Sequence, residues 1–200
     1  MNIKKYLAEG FLIVFSVLFA LFINQLVEDY KTKKRKIIAL ESIHKELVQN
    51  EEILTKWRDK HVEIRNRISS IMSGEMDSLK IELMQYDYLN LGVLTNNESL
   101  IDAILTSTAW ESARSTGIVS EFDFETTQKL THVYSMQQNI TDKTLMKIID
   151  YYFDSDAHDL KEIDRTLLQF QLRFSELTGQ ENLMAFLYAE AIKSTENELD

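Results

Sequence analysis

A glutamate and a histidine three residues apart on a helix point two metal-ligating groups to one side. A di-iron helical bundle needs two such pairs plus two further glutamates on facing helices. The chain holds one pair, Glu41 and His44, and no second, because His61, His132 and His158 follow non-acidic residues at that spacing. His44 also falls beside the apolar seam described below, so a solvated side chain and no metal are expected there. The cluster Asp150, Asp154, Asp156 and Asp159 resembles a calcium loop. With Asp154 and Asp156 as its first and third positions, Asp159 occupies the glycine position and Arg165 the place of the bidentate glutamate. The match fails at both decisive points, and an interhelix turn with an acidic helix start accounts for these residues.

Other chemistries lack their parts. No Gly-x-Ser-x-Gly frame offers a strained nucleophile. No two glycines lie close enough to cradle a phosphate, and the absence of cysteine removes thiol catalysis, disulfides and thiolate metal sites. No catalytic residue, cofactor or metal is expected, and the chain does not read as an enzyme.

Two polar residues interrupt an otherwise apolar series, Asn50 and His61. Polar groups on a helix seam select register and partner, and a seam histidine can respond to pH. The plainer reading has Asn50 hydrogen-bonding another helix and His61 snorkelling at a loosened helix end. Trp57 and Trp110, on faces shared with apolar groups, read as core anchors.

These residues need elements to hold them. The chain has 200 residues, no proline and five glycines, with 44% apolar and 27% charged side chains. That composition folds, and the scarcity of turn residues argues against sandwiches, barrels and glycine-loop nucleotide folds. The expected fold is all-α, with a transmembrane helix continuing into a long helix, followed by an antiparallel helical bundle.

Gly10 to Val27 is an 18-residue stretch without a charge. As a helix it is about 27 Å long, and Tyr6 to Ala8 extend it toward the ~30 Å of a hydrocarbon core. It exceeds the h-region of a signal peptide, and no small-x-small site follows Ala20, so an uncleaved anchor is expected. Ser16, Ala20 and Asn24 recur every four residues along one face, a pattern that lets helices approach and bond in lipid. Asn24 and Gln25 equally suit the interfacial end of a span.

The net charge of −10 is uneven. Residues 1–36 carry seven basic and three acidic side chains, while the rest is strongly acidic. An acidic body repels phosphate backbones, so no nucleic-acid partner is expected. Lys31, Lys33, Lys34, Arg35 and Lys36 form a basic juxtamembrane segment, which by the positive-inside rule weakly places the body in the cytoplasm.

From Ile37 to Ser73 apolar residues recur at alternating spacings of three and four: Leu40, Ile43, Leu47, Leu54, Trp57, Ile64, Ile68 and Ile71. This is the seam of a coiled coil or helix bundle, and without a breaker one rod of about 105 Å spans Ile3 to Met72. Gly74 ends it. A helix over 76–87 and a loop over 88–97 follow. Asn97 caps a helix through Leu100, Ile101, Ile104, Leu105, Trp110 and Ala113 that stops at Gly117. A long segment from Ser120 or Asp123 runs to Tyr152, with a break or kink at 139–142. Asp156 opens a helix ending at Gly179, and a last helix over 180–194 buries Leu183, Phe186, Leu187 and Ile192.

Two stretches, AEGFLIVFSVLFALFINQLVEDYKTKKRK and AWESARSTGIVSEFDFETTQKLTHVY, resemble a family of bacterial single-pass membrane proteins of unknown function, common in Bacteroidota-type bacteria. That family shows a Gly-Glu pair, a span ending in Ala-Leu-x-Ile-Asn, then Asn, Trp and charged residues, and a helix like ALESIHKELVQNEEIL. Its second signature is a tryptophan-glutamate helix, a glycine stop and a Leu-x-x-x-Tyr continuation. Here the order is Glu9-Gly10, no Trp follows Asn24, and the N-terminal tail is short. The resemblance implies a bacterial inner-membrane anchor with a helical body and carries over no catalytic residue. In relatives with long basic tails it implies a body outside the cytoplasm, opposite to the charge count, and the side stays open.

The expected organisation is a tail over 1–9, a span over 10–27, the basic segment 28–36, a bundle over 37–194 and a frayed acidic tail over 195–200. The function expected is that of a membrane-anchored interaction or scaffold protein. Its partners would be the bilayer, a membrane or membrane-proximal protein, and further copies through the first long helix, with Ser16, Ala20, Asn24, Asn50, Trp57 and His61 as seam candidates. The alternative is a sensory or ligand-binding helical module that signals through a membrane partner.

Overall fold

The computed structural model describes residues 3–199, with side chains from Glu9 onward. The basic residues Lys4 and Lys5, the extension Tyr6 to Ala8 and the final Asp200 lie outside the described side chains. Every regular element among the described residues is helical.

Helix α1 runs unbroken over Ile3–Met72, the single rod expected from the missing breakers. Its first part is long and apolar enough to cross a membrane, and none of its 18-residue apolar window is buried. From Leu40 onward the seam turns inward, and Leu40, Ile43, Leu47, Leu54, Trp57, Ile64, Ile68 and Ile71 are all buried. Gly74 follows at φ +79°, a left-handed conformation that glycine adopts without a Cβ penalty.

The main partner of α1 is α7, Ile163–Leu199. His44 meets Thr195, His61 meets Glu181 and Arg65 meets Thr178, so the two helices run antiparallel. Helix α5, Phe124–Asn139, packs on α7, with Thr126 bonded to Ser194 and Gln137 to Tyr188, and buries Leu130, Val133 and Tyr134. It passes through a π-turn at Ile140–Leu145 into α6, Met146–Tyr152. The expected kink at 139–142 is this widened turn, where the Thr141 hydroxyl donates to the carbonyls of Gln137 and Gln138. Short helices α2, Asp77–Leu83, α3, Gly92–Thr95, and α4, Thr108–Ser115, lie along α1.

Four expectations are corrected. Gly179 does not end a helix; α7 continues through it, because the buried row Phe174, Leu177, Thr178, Glu181, Met184, Tyr188 and Ala191 keeps its helical spacing across the glycine. Packing of that row outweighs the ~1 kcal/mol helix penalty of one glycine. In consequence Leu183 and Phe186 are 51% and 60% exposed, and Met184 and Tyr188 face the core instead. The chain after Asp156 makes two 3-10 turns, held by Asp154 and Asp159 accepting from the N–H of Asp156 and Lys161, and the helix starts at Ile163.

Up to Leu199 the acidic tail is not frayed but forms the last turn of α7, and Asp200 lies outside the described residues. Thr195 is buried, and the Glu198 carboxylate accepts from the Asp123 N–H at 2.8 Å and pairs with Lys36 at 2.8 Å. Finally, the helix expected from Asn97 begins only at Thr108. Asn96 and Asn97 both take left-handed φ values, 56° and 60°, and residues 99–107 are irregular.

Candidate functional site

The stretch from Asn90 to Trp110, helical only in the single turn of α3 and at the start of α4, engages five polar side chains of α1. Backbone groups outside a helix must find partners when covered, and α1 supplies them in sequence. Arg67 donates to the carbonyls of Val93 and Leu94, at 3.1 and 3.2 Å, and also bonds the Asn96 side chain. Lys60 donates to the Ser99 carbonyl at 3.0 Å and pairs with Glu98 and Asp102. Nε2 of His61 lies 3.0 Å from the Leu100 carbonyl. Asn50 holds Thr106 twice: its amide donates to the carbonyl at 2.7 Å, and its Oδ1 accepts from the N–H at 2.9 Å. Glu46 accepts from the Ala109 N–H at 2.9 Å and from Trp110 at 3.4 Å, at the start of α4.

Two of these anchors extend into buried networks. Gln137 joins Asn50 by donating to the Thr106 carbonyl at 3.1 Å, and its Oε1 accepts from the Tyr188 hydroxyl at 2.6 Å. Tyr134 donates to Glu46 at 2.7 Å while its ring stacks on Trp110. Burial first, and then the Glu46 carboxylate, push the Tyr134 phenol well above its ordinary value. Burial also raises that of Tyr188, with the Glu46 charge adding to it.

The third network is the pair His61 and Glu181, both side chains wholly buried, with Nδ1 to Oε1 at 2.6 Å. A carbonyl can only accept, so Nε2 carries a proton toward Leu100, and one further proton lies between Nδ1 and the carboxyl group. Glu181 Oε2 and the Trp57 indole N–H have no hydrogen-bond partner. The rings of Trp57 and Phe174 flank the imidazole at 6.4 and 6.1 Å. His61 therefore does not snorkel: it lies at the centre of the interface between α1 and α7.

The sequence-level candidates thus fall into two groups. Asn50, Trp57 and His61 are buried within the chain, on one face of α1. Ser16, Ala20 and Asn24 remain exposed on the apolar part of the same helix, with the Ser16 hydroxyl donating to the Leu12 carbonyl at 2.8 Å. Glu41 is exposed, and His44 is half-buried rather than solvated, with Nδ1 2.9 Å from the Thr195 hydroxyl. Among the described residues no group of three or more acidic or histidine side chains is arranged to hold a metal. Sequence reasoning passed over Glu46, Gln137 and Glu181, which carry these networks. Their positions on the buried face of each helix were the available signal.

A groove of about 640 Å³ opens between α1 and α4. Ile38, Ala39, Ala109, Ala113 and Ile118 line it together with Arg35, Lys45, Glu46 and six serine, threonine or glutamine side chains. No protein-family model matches the chain, and neither a curated protein nor a solved structure matches it.

Proposed function

We propose that the chain is a membrane-anchored interaction or scaffold protein of a bacterial inner membrane, whose antiparallel helical bundle docks a membrane or membrane-proximal partner. The observation that carries this reading is α1. An apolar, wholly unburied 18-residue window passes without a break into the first core helix of the body. Such a window is costly in water and favourable in lipid. The helix that anchors the protein is then the one that builds its core, and the body stands at a fixed height above the bilayer. Ser16, Ala20 and Asn24 supply a face on which a second span, of a partner or another copy, can pack.

The test is a topology reporter fused after Asp200 in membranes washed with alkaline carbonate. Retention in the pellet with a one-sided reporter signal is expected, and release into the supernatant would refute the anchor. Purification in nanodiscs then examines the scaffold role, against which a monomer with no companion would count heavily.

The second reading, a ligand-binding module that signals through a membrane partner, is favoured by one observation, the groove between α1 and α4.

A further inference from the structure

The groove lies in the part of α1 that follows the basic segment, and its chemistry is amphiphilic. Along α1 it extends from Arg35 to Gln49, about 21 Å of helix. Its volume of about 640 Å³ falls within the 300–1,000 Å³ of small-molecule pockets. Two hydroxyls on its walls are turned onto their own helices. Ser42 donates to the Ile38 carbonyl and Thr116 to the Ser112 carbonyl, both at 2.8 Å. Their hydroxyl protons are used locally, which leaves the five apolar side chains, with Gln49, Thr106 and Thr108 beside them, to set the character of the walls.

Its charged lining residues are Arg35, Lys45 and Glu46. Neither Arg35 nor Lys45 has an ion pair or side-chain hydrogen bond among the described residues, whereas the neighbouring Lys31 and Lys36 are both paired. Glu46 also borders the groove, but its oxygens already accept from Ala109, Trp110 and the Tyr134 hydroxyl. An anion is therefore disfavoured beside Lys45 and Glu46. It is favoured at Arg35, about 16 Å along the helix and at the end nearer the apolar span.

We propose that this groove binds a long-chain fatty acid, with its carboxylate on the Arg35 guanidinium and its tail over Ile38, Ala39, Ala109, Ala113 and Ile118. Arginine matches a carboxylate with paired donors. An extended backbone advances about 3.6 Å over three bonds, so the 21 Å of groove takes at most a chain of roughly 17 bonds, whose far end would pass Lys45 and Glu46. The inference rests on the membrane reading only for the source of the ligand, which partitions into the bilayer from which α1 rises.

The test uses the full chain in nanodiscs of zwitterionic phospholipid and cis-parinaric acid, a polyene fatty acid that accepts energy from tryptophan. Both tryptophans, Trp57 and Trp110, lie in the body and none in the apolar span. Probe in the lipid lies about 28 Å or more of helix from Trp110 and adds a transfer signal linear in probe, so binding at the body is read as the saturable part above it. We expect saturation near one probe per chain. Ser112→Phe and Ser42→Leu, at exposed positions on opposite walls, should each weaken binding at least about tenfold, with thermal unfolding unchanged. Arg35→Glu should weaken the acid by about tenfold and leave the uncharged methyl ester of the probe unaffected. Unsaturable transfer, saturable transfer that both wall variants leave intact, or equal effects of Arg35→Glu on acid and ester would each overturn the proposal. Release of the chain by alkaline carbonate would refute the anchor alone, and fatty-acid binding would still be read from the same titration in detergent-free buffer.

Discussion

Single side chains on α1 hold the irregular stretch, and their removal should cost what an orphaned backbone costs. Asn50→Ala removes both bonds to Thr106 and leaves its N–H unpaired, an expected loss of about 2 kcal/mol in a denaturant melt of the detergent-solubilised chain. His61→Ala strands the buried Glu181 and should cost about 3–5 kcal/mol. The double variant His61→Leu with Glu181→Leu should recover most of that loss, since apolar groups of similar volume commonly replace a buried pair without penalty. If the double variant is as unstable as the single one, the pair contributes more than mutual neutralisation. Alkali gives an independent reading. Tyr134 and Tyr188 hold their phenolic protons more tightly folded than unfolded. Their contribution is complete below about pH 10, where unfolded tyrosine titrates, and is lost as pH rises beyond it. Tyr188→Phe should therefore flatten the alkaline limb of the stability profile relative to the parent.

At the level of elements, α7 shows what periodicity does and does not specify. The three-four spacing from Ile163 to Leu177 was legible, as were the seam of α1 and the left-handed glycines at 74 and 117. The continuation through Gly179 was not, because a glycine followed by polar residues looks like a stop. Only the facing surface of α1 shows that Thr178 and Glu181 are core positions. That same ambiguity turned the last helix by one position and placed Leu183 and Phe186 inward. Residues 99–107 failed for the opposite reason: Leu100, Ile101, Ile104 and Leu105 have helical spacing, but Lys60, His61 and Asn50 capture the backbone that a helix would use internally. Long-range side-chain capture leaves no trace in local pattern. Gly179→Ala is the direct test. A Cβ there meets nothing within 4 Å, so the substitution should raise stability by about 0.5–1 kcal/mol and Tm by a few degrees.

For the whole molecule the charge division acquires a spatial meaning. The basic segment lies at the foot of the body, where Lys36 closes onto Glu198 and so ties the last turn of α7 to the exit of the apolar helix. Burial alone would raise the Glu198 carboxyl, yet hydrogen bonds from Lys36, Thr126 and the Asp123 N–H outweigh it and hold the group below its ordinary value. A carboxyl depressed in the folded state stabilises above the unfolded value of about 4.3, and that contribution is lost as pH falls through the folded one. Glu198→Gln should therefore reduce the acid sensitivity of the chain and loosen the end of the body nearer the apolar stretch, read as faster amide exchange over Phe124 to Leu130.

The unbroken course of α1 also sets a phase. Because no hinge separates the apolar stretch from Leu40, each residue inserted between Lys31 and Lys36 lifts the body by about 1.5 Å and swings it about 100° around the helix axis. If a docked partner shares the same membrane, activity or cross-linking should rise and fall with insertion length at a period of about 3.6 residues. One or two added alanines would turn the docking face away, and four would bring it nearly back. The protein would then behave as a shaft whose angular setting is fixed in the bilayer.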